Sequence, residues 1–227
     1  MDLYGKKDKS IPQKLVITVL EFAILAFSYW ILFDKGYTKI FSFRSENGGN
    51  DARHVLIFIF NCVVFARISV TVFYLIKRRI PWEEAFSIPF AFAVYYIGYA
   101  LLGYESKSAV GIPDIAGIIL FATGSFINTF SELKRDKWKK SAVNKGHLYN
   151  GGLFRYSMHI NYFGDLLWVC GYAFITRNPW SILIPVFIFC FFAFYNIPKL
   201  DRYLETKYKE EFNEYRQSTK KFIPFIY

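Results

Sequence analysis

Apolar positions in this chain fall in runs of roughly 15–22 residues, separated by charged segments. A helix rises about 1.5 Å per residue, so about 20 apolar residues cross a hydrocarbon core about 30 Å thick. The runs predict six spans: Leu15–Phe33, Val55–Ile76, Ala85–Tyr104, Ala109–Phe130, Met158–Thr176 and Pro179–Pro198. The fifth is the weakest, because Asp165 interrupts a short run. The first carries Glu21 at its middle, has no small-x-small cleavage site and is followed by Asp34-Lys35, so it reads as a retained span and not a signal peptide. The expected fold is all-α: a polytopic membrane helix bundle of about six transmembrane helices with cytosolic amphipathic segments, in a single integral membrane domain over 1–227.

Charge orients the bundle. With the N-terminus inside, cytosolic segments hold 21 Lys and Arg and the opposite loops hold 6, with Arg67 inside a span. That asymmetry places both termini in the cytosol. It also accounts for the net charge of +10 without nucleic acid as a partner, because the basic residues are spread over membrane-proximal loops. Two cytosolic segments, Ser131–Ser157 and Lys199–Tyr227, mix aromatic residues with Lys and Glu and suit a membrane surface. Hydrophobic content of 54% excludes a disordered chain. Cys62, Cys170 and Cys190 lie within apolar runs at no metal-ligand spacing, which predicts neither a disulfide framework nor a metal site.

Polar side chains inside the spans are the candidates for function, since a central charged group costs roughly 2.5–3.5 kcal/mol on insertion scales. They are Glu21, Asn61, Arg67, Asn128 and Asp165. Orientation puts Glu21, Asn128 and Asp165 in the same cytosolic third, as in a shared cavity opening to the cytosol. The competing reading is structural pairing, such as a buried Glu21–Arg67 ion pair that fixes register. Asn128, Glu132, Arg135 and Lys139 recur at i, i+4, i+7 and i+11, one stripe of a single helix. The stripe begins in apolar surroundings and ends as a basic face, which suits an anionic ligand entering from the cytosol but also suits a plain amphipathic helix. A third constellation is Gly151-Gly152-Leu153-Phe154-Arg155-Tyr156-Ser157, where two glycines permit a tight turn. A helix then starts, carrying His159, Asn161, Tyr162 and Asp165 in its first turns, with free N–H groups suited to phosphate.

From Gly124 onward the chain resembles the steroid 5-alpha-reductase family, particularly its bacterial uncharacterised branch. It is more distantly similar to sterol C14 reductases and isoprenylcysteine carboxyl methyltransferases. The resemblance rests on Asn128-x-x-x-Glu132, Gly151-Gly152-Leu153-Phe154-x-Tyr156, Asn161-Tyr162-Phe163-Gly164-Asp165 and Ile223-Pro224-Phe225-Ile226-Tyr227. It implies a multi-span reductase that takes NADPH from the cytosolic side and reduces an activated carbon–carbon double bond in a lipid or steroid-like substrate. Residues 124–227 then form the cofactor-binding half. The implied cofactor residues are Asn128, Glu132, Asn161, Tyr162 and Asp165. Arg135, Lys139, Arg155 and His159 form a basic rim, and Tyr149 and Arg202 join the candidates from the two cytosolic segments. The substrate-side acid of steroid reductases falls on Glu21. Their early Tyr, three residues before an Arg, falls on Val64 when aligned on Arg67. Met158-His159-Ile160 stands where relatives often read Arg-His-Pro.

The basic rim favours NADPH over the near +1 S-adenosylmethionine, because charge-assisted bonds reward phosphate. Glu21, kept neutral by burial, can donate to the oxyanion that develops during hydride transfer. Tyr95, Tyr96 and Tyr99 offer hydroxyls on the third span, although each also reads as aromatic packing. The alternatives are a membrane methyltransferase and a non-catalytic lipid-binding protein on the same fold.

Overall fold

The computed structural model describes residues 8–42 and 48–227. Among them there is no strand. The helices are α1 (Ile11–Phe33), α2 (Gly36–Ile40), α3 (Asp51–Leu75), α4 (Trp82–Tyr104), α5 (Ile112–Lys139), α6 (Ile160–Thr176), α7 (Pro179–Tyr208) and α8 (Glu210–Ser218). Five of these, α1, α3, α4, α5 and α7, are long and apolar enough to cross a membrane. The remaining expected span, α6, has 17 helical residues, because the chain before Ile160 is held in turns. Helix α5 does not stop at the expected end of its span. It continues to Lys139, so the stripe from Asn128 to Lys139 lies on one unbroken helix.

The outward faces of the long helices are apolar. Val19, Phe22, Phe90, Phe187 and Phe194 are all at least 60% exposed. Exposed apolar surface this continuous belongs in lipid. The protein is an integral membrane protein.

Contacts divide the chain into two units: residues up to Ile115 with Tyr172–Ser181, and Ala116–Gly171 with Ile182–Tyr227. In the first, α1 packs on α3 and α4. The buried positions of α1 are Lys14, Ile17, Glu21, Leu25, Ser28, Ile31 and Leu32, a stripe of helical period. Lys14 Nζ donates to the Ile76 carbonyl at 2.8 Å, placing a cation where α3 ends. Helix α4 contains Pro89 and a π turn at Val94–Gly98. That turn buries the consecutive residues Tyr95 and Tyr96. A π turn inside an α-helix often accompanies a functional site.

In the second unit the seam between α5 and α6 is built from main chain. A Cβ on Gly124 would lie 2.4 Å from the Trp168 nitrogen and 2.5 Å from the Gly164 carbonyl oxygen. One on Gly164 would lie 2.7 Å from the Asn128 nitrogen. Backbones approach this closely only where side chains are absent. The expected result for Gly124→Ala is a loss of roughly 1–3 kcal/mol by overpacking, read as a lower thermal midpoint in detergent. A midpoint equal to wild type would show that the seam can open at no cost. Beyond the seam, Phe154, Met158, Ile160, Phe212 and Tyr215 form a buried cluster.

Candidate functional site

The second unit gathers most of the residues that the sequence singles out. The α5–α6 seam carries Asn128 to the start of α6, where its Nδ2 donates to the Asn161 carbonyl at 3.2 Å. Two motifs 33 residues apart thus meet. Two turns further along α5, Arg135 Nη2 donates to Glu132 Oε1 at 2.7 Å, and its guanidinium sits 5.2 Å from the centre of the Phe154 ring. Tyr149 stands edge-on to the same Phe154 ring at 5.6 Å and tilts against Trp138 at 5.2 Å. Gly152 adopts φ +59°, and a Cβ there would lie 2.9 Å from the Tyr149 hydroxyl, so the double glycine is a requirement of this turn.

His159 is buried, and its Nε2 lies 2.8 Å from Asp201 Oδ1, with Lys221 Nζ 3.6 Å from Oδ2. Its ring stacks on Tyr162 at 5.8 Å, and Tyr162 stacks on Phe192 at 4.6 Å. His159 is therefore held inside a polar cluster instead of standing on an open rim. Asp165 Oδ1 accepts from Trp168 Nε1 at 2.8 Å. Lys139, Arg155 and Arg202 are exposed. Arg155 Nη2 donates to the Tyr156 hydroxyl at 2.7 Å, and Arg202 Nε donates to the carbonyl of Pro198 one turn earlier at 3.3 Å. Asp201 is not among the sequence candidates, and Phe154 enters only as part of the double-glycine motif. Nothing in the spacing of Asp201 marks it, since its partner His159 lies 42 residues away.

Helix α8 is pinned to the segment after α5. Glu211 accepts from the Leu148 N–H at 2.8 Å and lies 2.7 Å from His147 Nδ1. These two contacts hold its carboxyl below the usual carboxylate range. The Tyr215 hydroxyl donates to the Phe154 carbonyl at 2.6 Å, and burial pushes its ionisation upward. The turn that carries Gly152 is thereby fixed from both sides.

The first unit holds Glu21. Its side chain is fully buried, and neither carboxyl oxygen has a hydrogen-bond partner among the described residues. The structural pairing with Arg67 is thus not formed as a hydrogen bond. The Tyr96 hydroxyl lies beside the carboxyl, close enough to couple to it electrostatically. It too is buried and makes no hydrogen bond of full geometry, so the carboxyl and the hydroxyl are each other's nearest polar neighbours. Beneath this pair lies a satisfied network. Asn61 Nδ2 donates to Ser28 Oγ at 3.1 Å and to the Tyr96 carbonyl at 3.4 Å, and Asn61 Oδ1 accepts from the Tyr172 hydroxyl at 2.7 Å. Tyr99 stacks on Tyr172 at 4.7 Å. Buried polar groups are ordinarily paired. Two adjacent ones that meet each other short of a full hydrogen bond, beside a paired network, retain capacity for a further polar group. Val64, one of the buried residues of α3, is apolar and supplies no hydroxyl.

A family model described as a protein of unknown function, DUF1295, matches residues 86–219, more than half of the chain. The 3-oxo-5-alpha-steroid 4-dehydrogenase 1 of Bos taurus is 31% identical over 181 residues, covering 73% of this chain and 68% of the relative. The chain belongs to the steroid 5-alpha-reductase family. Within that family, the 3-oxo-5-alpha-steroid 4-dehydrogenase 2 of Rattus norvegicus is 30% identical over 133 residues, 59% of this chain and 50% of the relative. The chain thus spans about two thirds of the bovine relative and half of the rat one. A shorter likeness, 34% over 88 residues, joins it to a probable O-methyltransferase of Ustilaginoidea virens across 38% of this chain and 31% of that protein. The seam that joins Asn128 to Asn161 lies inside the segment matched by the family model.

Proposed function

We propose that this member of an oxidoreductase family reduces an activated carbon–carbon double bond in a lipid or steroid-like substrate, using NADPH taken from the cytosolic side. The observation that carries the substrate half of the reading is the pair Glu21 and Tyr96, buried side by side with unused hydrogen-bonding capacity. Two such groups suit the carbonyl oxygen of an enone, and they are preorganised where negative charge develops on that oxygen.

The residues of the second unit suit the cofactor half. The Asn128–Asn161 contact, the Arg135–Phe154 stack and the exposed cations Lys139 and Arg155 combine polar, aromatic and cationic groups, the mixture that a phosphorylated dinucleotide needs. Bound NADPH would supply a hydride to the carbon far from the carbonyl. Glu21 and Tyr96 would hold the oxygen as the double bond shifts toward it, and a proton then completes the near carbon. Asn61 would fix the Tyr96 backbone through its carbonyl while Tyr172 locks the amide. The loop-charge asymmetry supports cytosolic chain ends, which puts the basic end of α5 on the NADPH side.

Detergent-purified protein titrated with NADPH is expected to give a saturable change in nicotinamide fluorescence at micromolar concentrations. No saturable signal there would end the reductase reading. Saturable binding of S-adenosylmethionine in its place would favour the methyltransferase reading, to which the short likeness to the fungal O-methyltransferase points.

A further inference from the structure

We infer that residues 219–227 form a hook inserted into the cytosolic leaflet of the bilayer, with Phe225 and Ile226 among the lipid chains. The segment follows α8 and could be taken for a solvated tail, since Lys220 and Lys221 precede it. Its contacts place it deeper. The Phe222 ring packs on Phe189 at 5.8 Å and on Phe192 at 6.3 Å, both on α7. Between Arg177 and Lys199, α7 and the residues before it carry no charged side chain. Phe189 and Phe192 lie ten and seven residues inside Lys199, about 15 and about 10 Å along the helix. Phe222 therefore sits well below the level of the first charged residue. The length of α6 agrees. Its 17 residues rise about 26 Å, short of a core about 30 Å thick. That leaves room for the turn before Ile160 within the bilayer, and that turn pairs with the hook. Met158 N donates to Lys220 O at 2.8 Å, His159 N to Lys221 O at 3.1 Å, and Ser157 Oγ to Phe222 O at 2.8 Å.

Irregular backbone survives at this depth only where its polar groups find internal partners, and four N–H groups of this segment do. Phe222 N and Ile223 N both donate to Tyr227 O, at 2.6 and 2.7 Å, while Ile226 N and Tyr227 N donate to Ile223 O at 3.1 and 3.0 Å. With the main chain closed on itself, the side chains turned outward are apolar: Phe225 is 78% exposed and Ile226 is 74% exposed. Phe225 holds φ +66°, a left-handed conformation unusual for a bulky side chain. The fold keeps that strain, and in doing so turns the ring outward. The occupant of this surface is lipid, because Phe222 packs on Phe192, whose ring meets Phe191 on the exposed apolar side of α7 that also carries Phe194 and Tyr195. Lys199, over the Tyr195 ring, and the exposed Lys220 fit phosphate at the headgroup level.

The test uses the unmodified protein in phosphatidylcholine vesicles containing a trace of phosphatidylcholine with a diazirine halfway along one acyl chain. After photolysis, trypsin cleaves at Arg177, Lys199 and Lys221, releasing the α7 peptide 178–199 and the hook from Phe222 onward. Carbene adducts on the hook at a level comparable to those on the α7 peptide are expected. A labelled α7 peptide with an unlabelled hook would overturn the inference. If a water-soluble diazirine then marked the hook, the segment would be solvated. If neither reagent marked it, another protein surface would cover it.

Discussion

Glu21→Gln and Tyr96→Phe are each expected to lower turnover in NADPH-dependent reduction by roughly 10²–10³-fold, the usual loss when one preorganised donor to a developing oxyanion is removed. Both substitutions nearly conserve volume at buried positions, so packing and recovery from the membrane should change little. Gln retains an N–H that can hydrogen-bond but has no proton to give up, and Phe keeps the ring of Tyr96 without its hydroxyl. Because all the cofactor candidates lie on other elements, NADPH affinity should remain within a few-fold of wild type in both variants. If the two groups act as a unit, the double variant should be little worse than either single one, since effects of groups acting together are not additive. The measurement is kcat and KM for a model enone together with an NADPH titration. Full turnover in both single variants would remove Glu21 and Tyr96 from the mechanism.

Asp114→Ala is expected to destabilise the protein by about 3–5 kcal/mol, the range for leaving one partner of a buried ion pair alone. Asp114 and Arg53 are both fully buried and bonded to each other. Arg53 also donates to the carbonyls of Ile175 and Ser108, the latter at 2.9 Å. Asp114 Oδ2 accepts from Arg177 Nη2 at 2.7 Å and from the Gly111 N–H at 2.9 Å. The cluster therefore ties the start of α3 to the start of α5 and the end of α6, all within the first unit. Removing the carboxylate leaves the fully buried Arg53 guanidinium without its counter-charge. Replacing both residues by Leu should recover much of the loss, because the buried charge then disappears with its partner. Thermal unfolding in detergent measures both variants. A shift for Asp114→Ala equivalent to less than about 1 kcal/mol would mean that the cluster is solvated and behaves as a surface pair.

The helical fold was legible because hydrocarbon imposes long apolar runs on any chain that crosses it, and helix boundaries were less legible for the same reason. Hydropathy marks where lipid ends, and a helix need not stop there. α5 runs on to Lys139 because its polar stripe keeps helical spacing and nothing breaks it. α6 begins only at Ile160, since Gly152 and the contacts of Ser157 with Phe222 hold the preceding chain in turns. In the candidate site, Asn128 and Asn161 could be named from spacing and resemblance, and they meet. Tyr96 was one of three equivalent tyrosines in the sequence. Only its place beside the buried Glu21 carboxyl separates it from Tyr95, in the same π turn, and from Tyr99. The His159–Asp201 contact joins residues 42 positions apart, and no local rule connects them.

The unbroken course of α5 has a mechanical consequence. Asn128 and Lys139 are separated by eleven residues of continuous helix, about 16 Å of stiff rod. No proline or glycine between them can act as a hinge. A displacement of the lysine end is therefore carried to the asparagine end by the rod as a whole.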